Sequence, residues 1–124
     1  MTAIREVMTK QLVTVEPSTS VAAAVTVMGM DRVGAVLVME HGKLEGIFTE
    51  RDLVRAMSYD IGASSQPVSH WMTRDPVTVG PEASIEQALE IMLARHFRHL
   101  PVLEAESLVG VVSIRDLSRA TLRD

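Results

Sequence analysis

The sequence predicts an α+β protein (α/β-type) built from two β-α-β-β-α repeats that pack with pseudo-twofold symmetry. Three observations lead there. The first is a tandem repeat offset by 64 residues: laying 5–60 over 69–124 without a gap gives 19 identities in 56 positions. Met8-Thr9, Val13-Thr14-Val15, Pro17, Ser20, Ala24 and Met28 recur as Met72-Thr73, Val77-Thr78-Val79, Pro81, Ser84, Ala88 and Met92. The second is the period of the apolar pattern, which switches within each copy between alternation and helical spacing. The third is size: one copy is too short to bury a good core, so the two copies should pack face to face around a ligand-sized cleft.

Each element follows from local sequence. The alternating Val13-Thr14-Val15 reads as a strand, and Pro17-Ser18-Thr19-Ser20 leads into a helix. The helix is plainer in the second copy, where Ile85, Ala88, Leu89 and Met92 form one apolar stripe. Ser84 followed by Gln87 has the spacing of a capping box and fixes that helix start. A buried strand, Val36–Met39, then turns through Glu40-His41-Gly42-Lys43 into Leu44–Phe48 as a β-hairpin. Its counterpart runs from Leu100–Leu103 through Glu104–Ser107 into Leu108–Val112. A short helix begins at Thr49 or Ser113 and carries Leu53, Val54 and Met57, or Leu117 and Ala120. The expected division is repeat 1 over 1–60, a linker over 61–69 and repeat 2 over 70–124.

Composition narrows the function. Of the 124 residues 47% are hydrophobic and 23% charged, as in a soluble globular protein. Only four side chains are aromatic (Phe48, Tyr59, Trp71, Phe97), so the core must come from aliphatic residues and methionine. The longest apolar run, Val33–Met39, is far below the ~20 residues of a membrane helix. No basic-then-apolar leader opens the chain, and a cytoplasmic location is expected. The absence of cysteine excludes disulfide and thiolate chemistry. The net charge of −4 divides evenly between the halves, which argues against binding nucleic acid through its phosphates. One basic cluster, Arg95-His96-Phe97-Arg98-His99, would hold only a small anion.

The sharpest chemical signal lies late in each copy, in Gly46-Ile47-Phe48-Thr49-Glu50-Arg51-Asp52 and Gly110-Val111-Val112-Ser113-Ile114-Arg115-Asp116. A buried strand ends in a hydroxyl, and an aspartate follows three residues later on the first helical turn. Unpaired N–H groups at a helix start suit phosphate, and the hydroxyl adds a hydrogen bond. A carboxylate one turn in can accept from two vicinal hydroxyls, as on a ribose. The same residues also read as an ordinary helix cap worth ~1 kcal/mol.

Taken together, Val7-Met8-Thr9, Trp71-Met72-Thr73, Gly34-Ala35-Val36-Leu37-Val38, Arg98-His99-Leu100-Pro101-Val102 and the two Gly-to-Asp segments resemble the CBS domain. That domain occurs as a tandem pair, the Bateman module, and the resemblance runs from Val7 to Ala120. It implies regulatory binding of an adenosine ligand (AMP, ADP, ATP or S-adenosylmethionine) in clefts between the copies, with no required cofactor. In the family the hydroxyl meets phosphate, the aspartate meets ribose, and adenine lies on the opening strand of the opposite copy. Carried over, one site comprises Thr49, Arg51, Asp52, Val77, Thr78, Arg98 and His99. The other comprises Ser113, Arg115, Asp116, Val13, Thr14 and Ala35. Because Gly34-Ala35 stands where the other copy has Arg98-His99, the Asp52 site is expected to bind more tightly and to prefer more phosphates.

Nothing assembles a catalytic constellation, so a non-enzymatic role is expected. His96 and His99 stand three apart, but no third metal ligand is evident, and no metal site is expected. His41 and His70 fall in expected loops, and the methionines at 28, 39 and 92 read as core. The module is expected to signal its ligand state to an unidentified protein partner and to form a homodimer, as the resemblance implies. The alternative is a structural dimerisation module whose clefts stay empty.

Overall fold

A continuous apolar run over residues 35–39 and a tight turn at His41–Gly42 produce the hairpin around which the first unit is built. The computed structural model describes residues 2–123, the side chain of Arg123 excepted. Its elements are β1 (Thr14–Val15), α1 (Val21–Asp31), β2 (Ala35–Glu40), β3 (Lys43–Thr49), α2 (Glu50–Tyr59), β4 (Thr73–Arg74), α3 (Ile85–Arg95), β5 (His99–Glu104), β6 (Ser107–Ser113) and α4 (Ile114–Arg123). The α+β class and the repeated order of elements are as the sequence indicates. The chain divides into two units: Val13–Pro76, and the residues up to Leu12 together with those from Val77 onward.

In the first unit one sheet runs β1-β2-β3-β4, with β1 parallel to β2 and the other pairs antiparallel. Its core gathers Val21, Ala24 and Met28 from α1, Val36 and Val38 from β2, and Phe48 from β3. Val68 and Met72 complete it, so residues 61–69, expected as a linker, contribute to a core. They form two 3-10 turns, Ile61–Ser65 and Val68–His70, tied down where Val68 N donates to the Thr19 carbonyl at 2.7 Å. Ser20 caps α1 by accepting from Ala23 N, and the helix ends at Arg32 in the left-handed region.

The second unit repeats the plan. Its core holds Ile4, Val79, Ile85, Ala88, Met92, Leu100, Val102, Val112, Leu117 and Ala120. The capping box at α3 is as its sequence spacing indicates: Ser84 N donates to Gln87 Oε1 at 2.8 Å, and Gln87 N to Ser84 Oγ at 3.1 Å. One expected strand is reduced. Val77–Val79 makes only a single parallel bridge, Val79 to Val102. The cause is Pro101. In the first unit Leu37 N donates to the Val13 carbonyl at 3.0 Å, and the position equivalent to Leu37 is a proline with no N–H to give.

The segment that opens each sequence repeat pairs with the hairpin of the other repeat. Thr73 and Arg74 run antiparallel to Ile47 and Gly46, and Thr9 bridges Val111. This explains the repeated glycine. A Cβ on Gly46 would stand 2.7 Å from both Met72 Sδ and the Thr73 carbonyl oxygen, and one on Gly110 would stand 2.6 Å from Met8 Sδ. Only glycine lets these backbones approach so closely.

Candidate functional site

The start of α2 is decided by residues 49–52. Thr49 is extended, ends β3 and caps the helix: its Oγ1 accepts from Asp52 N at 3.2 Å. Asp52 reaches back, its Oδ2 accepting from Thr49 N at 3.0 Å and from Thr49 Oγ1 at 3.2 Å. Ser113 and Asp116 repeat the motif at α4, with Asp116 N donating to Ser113 Oγ at 3.1 Å and Ser113 N to Asp116 Oδ2 at 2.9 Å. In both units a strand therefore delivers a hydroxyl and a carboxylate side by side at the positive end of a helix.

The two carboxylates have different surroundings. Asp52 is 6% exposed, and its Oδ1 takes two further bonds, from Thr73 Oγ1 at 3.3 Å and from Arg55 Nη2 at 3.4 Å. Arg55 also donates to the Trp71 carbonyl at 2.6 Å and lies 5.8 Å from the Trp71 ring centre. Trp71 Nε1 in turn donates to Gln66 Oε1, and Gln66 Nε2 to Asp60 Oδ2. Asp116 is half-buried, and among the described residues neither Thr9 nor Arg119, the repeat counterparts of Thr73 and Arg55, donates to it.

The other expected site residues fall as follows. Ala35 pairs with Thr49 across the β2–β3 register, and the Gly34 carbonyl accepts from Glu50 N. His99 pairs likewise with Ser113, and the Arg98 carbonyl accepts from Ile114 N. Each hairpin thus brings the residue that opens its first strand beside the hydroxyl that closes its second. Val13 and Thr14 lie at β1, Thr14 exposed and level with Leu37. Val77 and Thr78 are half-buried before the Val79 bridge, while Arg51, Arg98 and Arg115 are exposed. His96 is the left-handed cap of α3 and His99 the first residue of β5, so the two do not share a helix face.

The pattern of the CBS domain matches this chain twice, over residues 4–59 and 68–123. The chain belongs to the CBS domain family. The CBS domain-containing protein YhcV of Bacillus subtilis is 33% identical over 118 residues, covering 95% of this chain and 84% of that protein. The crystal structure of a CBS-domain containing protein of Agrobacterium tumefaciens superposes with a TM-score of 0.92 at 37% identity, covering 97% of this chain and 99% of that one. CBSX2, solved in complex with AMP, superposes with a TM-score of 0.83 at 28% identity, covering 98% and 96%. The inosine-5'-monophosphate dehydrogenase of Methanocaldococcus jannaschii is 34% identical, but the match covers only 22% of that enzyme.

Three residues of this CBS pair were given no site role from the sequence: Arg55, and Trp71 and Thr73, which entered only as landmarks of the family resemblance. Arg55 stands three positions after Asp52, a helical spacing that offered a signal. Thr73 lies 21 residues away and reaches Asp52 only because its segment pairs with β3. Among the described residues, no helix is long and apolar enough to cross a membrane.

Proposed function

We propose that this CBS pair is a regulatory, non-enzymatic module that binds an adenosine ligand and passes its bound state to a protein partner through a conformational shift. The observation that carries this reading is the hydroxyl and carboxylate placed together at a helix start in both units, in a relative of CBSX2, which was solved with AMP. Thr49 and Asp52 in one unit, and Ser113 and Asp116 in the other, supply phosphate- and ribose-side contacts, with Arg51 and Arg115 adding charge on the same helical turn. Val13, Thr14, Ala35, Val77, Thr78, Arg98 and His99 keep the adenine- and phosphate-side roles that family likeness implies. The ligand shifts the balance of states only by its difference in affinity between them. A cytoplasmic homodimer is part of the proposal; Val54 at 65% and Leu122 at 87% exposed are apolar side chains on α2 and α4 that a second copy would cover.

A second reading has its own observation: the bonds that line up hydroxyl and carboxylate are also complete helix caps. The module would then dimerise with its ligand positions unused. A thermal-shift series with adenosine, AMP, ADP, ATP, S-adenosylmethionine and GTP separates the two. An adenosine ligand at a hundred times its Kd should add about 2.7 kcal/mol to stability, with the gain reduced in Asp52→Ala or Asp116→Ala. No shift with any ligand at millimolar concentration would favour the dimerisation module.

A further inference from the structure

We propose that Thr73 and Arg55 form a latch on Asp52, so that ligand entering the first unit must displace them and thereby loosens Trp71. The proposal rests on the nucleotide reading above and adds which carboxylate fills first and which one reports. A carboxylate offers about four lone-pair positions. Asp52 has all four in use: Thr49 N and Oγ1 on Oδ2, Thr73 Oγ1 and Arg55 Nη2 on Oδ1. Among the described residues Asp116 has one in use, by Ser113 N. The vicinal hydroxyls of a ribose therefore find Asp116 open and Asp52 saturated.

The two oxygens of Asp52 are not held equally. Bonds at 3.0 and 3.2 Å from Thr49 fix Oδ2 and with it the helix start. Those on Oδ1, at 3.3 and 3.4 Å, are the longest and come from side chains alone, with no backbone N–H among them, so they are the ones to yield. Arg55, its side chain 47% exposed, can be taken up by water when released. Its release is not silent. The same guanidinium nitrogen that reaches Asp52 donates to the Trp71 carbonyl at 2.6 Å and lies near the Trp71 ring. Tyr59 lies 6.3 Å from that ring, and Gln66 holds the indole N–H. Occupancy at Asp52 is thus linked to the 59–71 surface. In the second unit Val7 replaces Trp71, and among the described residues Arg119 makes no such bond to Asp116, so no equivalent relay is seen there. Counting cations ranks the Asp52 end first; counting open acceptors reverses the order.

Trp71 is the only tryptophan, so its emission reads the latch directly. Calorimetry and emission are followed together while AMP, and separately S-adenosylmethionine, is added to the full chain. The expected result is a tighter phase with unchanged emission, then a phase about fivefold weaker that alters it. Asp116→Asn should remove the silent phase alone. Thr73→Val and Arg55→Met should each tighten the emission-active phase several-fold, while Thr73→Ser, which keeps the hydroxyl, should match wild type. An emission change in the tighter phase, or a Thr73→Val variant that binds no better than wild type, overturns the latch and leaves nucleotide binding standing. Absence of heat with both ligands overturns the nucleotide reading and the latch with it.

Discussion

Asp52 and Asp116 occupy the same place in the repeat and should matter unequally even without ligand. Removing the Asp52 side chain strips the acceptor from Thr49 N, Thr49 Oγ1, Thr73 Oγ1 and Arg55 at a site 6% exposed. Donors left unsatisfied in partial burial cost about 1–3 kcal/mol. Removing Asp116 strips one backbone donor at a half-buried helix start, a loss of about 1 kcal/mol. Chemical denaturation without nucleotide should therefore rank Asp52→Ala below Asp116→Ala by about 1 kcal/mol or more. Equal losses would mean that Thr73 and Arg55 contribute nothing to the hold on Asp52. This inequality was not legible from the sequence. Spacing alone gives both motifs the same reciprocal bonds, and Thr9 bridges Val111 much as Thr73 pairs with Ile47, so only the Thr73 hydroxyl and the Arg55 guanidinium reaching Asp52 separate them.

The hairpins show how one element tolerates two sequences. Glu40 pairs with Lys43 and Glu104 with Ser107, each across two residues that both have positive φ, the geometry of a type I′ turn. A register shift follows at the same place in each, between Val38 and Met39 and between Val102 and Leu103. The first turn uses His41 and Gly42 (φ 52° and 76°); the second must force Ala105 and Glu106 to 49° and 69°. A side chain in the left-handed region costs roughly 1–2 kcal/mol. Both positions are exposed, and Glu106 makes no hydrogen bond or ion pair among the described residues, so Glu106→Gly relieves the strain without losing a contact. The urea midpoint should rise by the equivalent of about 1 kcal/mol with an unchanged m-value. An unchanged or lower midpoint would mean that the turn is not under strain. Such elements were readable because their causes are local: turn residues, the Ser84–Gln87 spacing and the stripe on α3. Val77–Val79 alternates as a strand should, yet the missing N–H of Pro101, 22 residues on, stops its pairing at one bridge.

At the scale of the whole chain, the unit of sequence and the unit of structure differ. The repeat begins at each Met-Thr, but the first opening segment is grouped with residues from Val77 onward, and the second belongs to Val13–Pro76. Long-range pairing leaves little local trace, which is why the sequence reading assigned each opening to the copy it begins. The one trace was Gly46 and Gly110, matched across the repeat where Met72 and Met8 press on the backbone. The consequence is testable at Ile4, which is fully buried, far from residue 77 in sequence, and part of the core with Met92, Leu100 and Val112. Ile4 N also donates to the Ala83 carbonyl at 2.8 Å, and Arg5 pairs with Glu82 and Glu104 at the surface, where exposed ion pairs add little. Truncating Ile4 to alanine should cost about 2–5 kcal/mol through lost burial and the cavity left behind. In hydrogen exchange that loss should appear in α3, β5 and α4, 80 or more residues away, while α1 and β2, which follow Ile4 closely in sequence, keep their protection. Loss of protection in α1 and β2 instead would return the opening segment to the first repeat and remove the reason for the paired glycines.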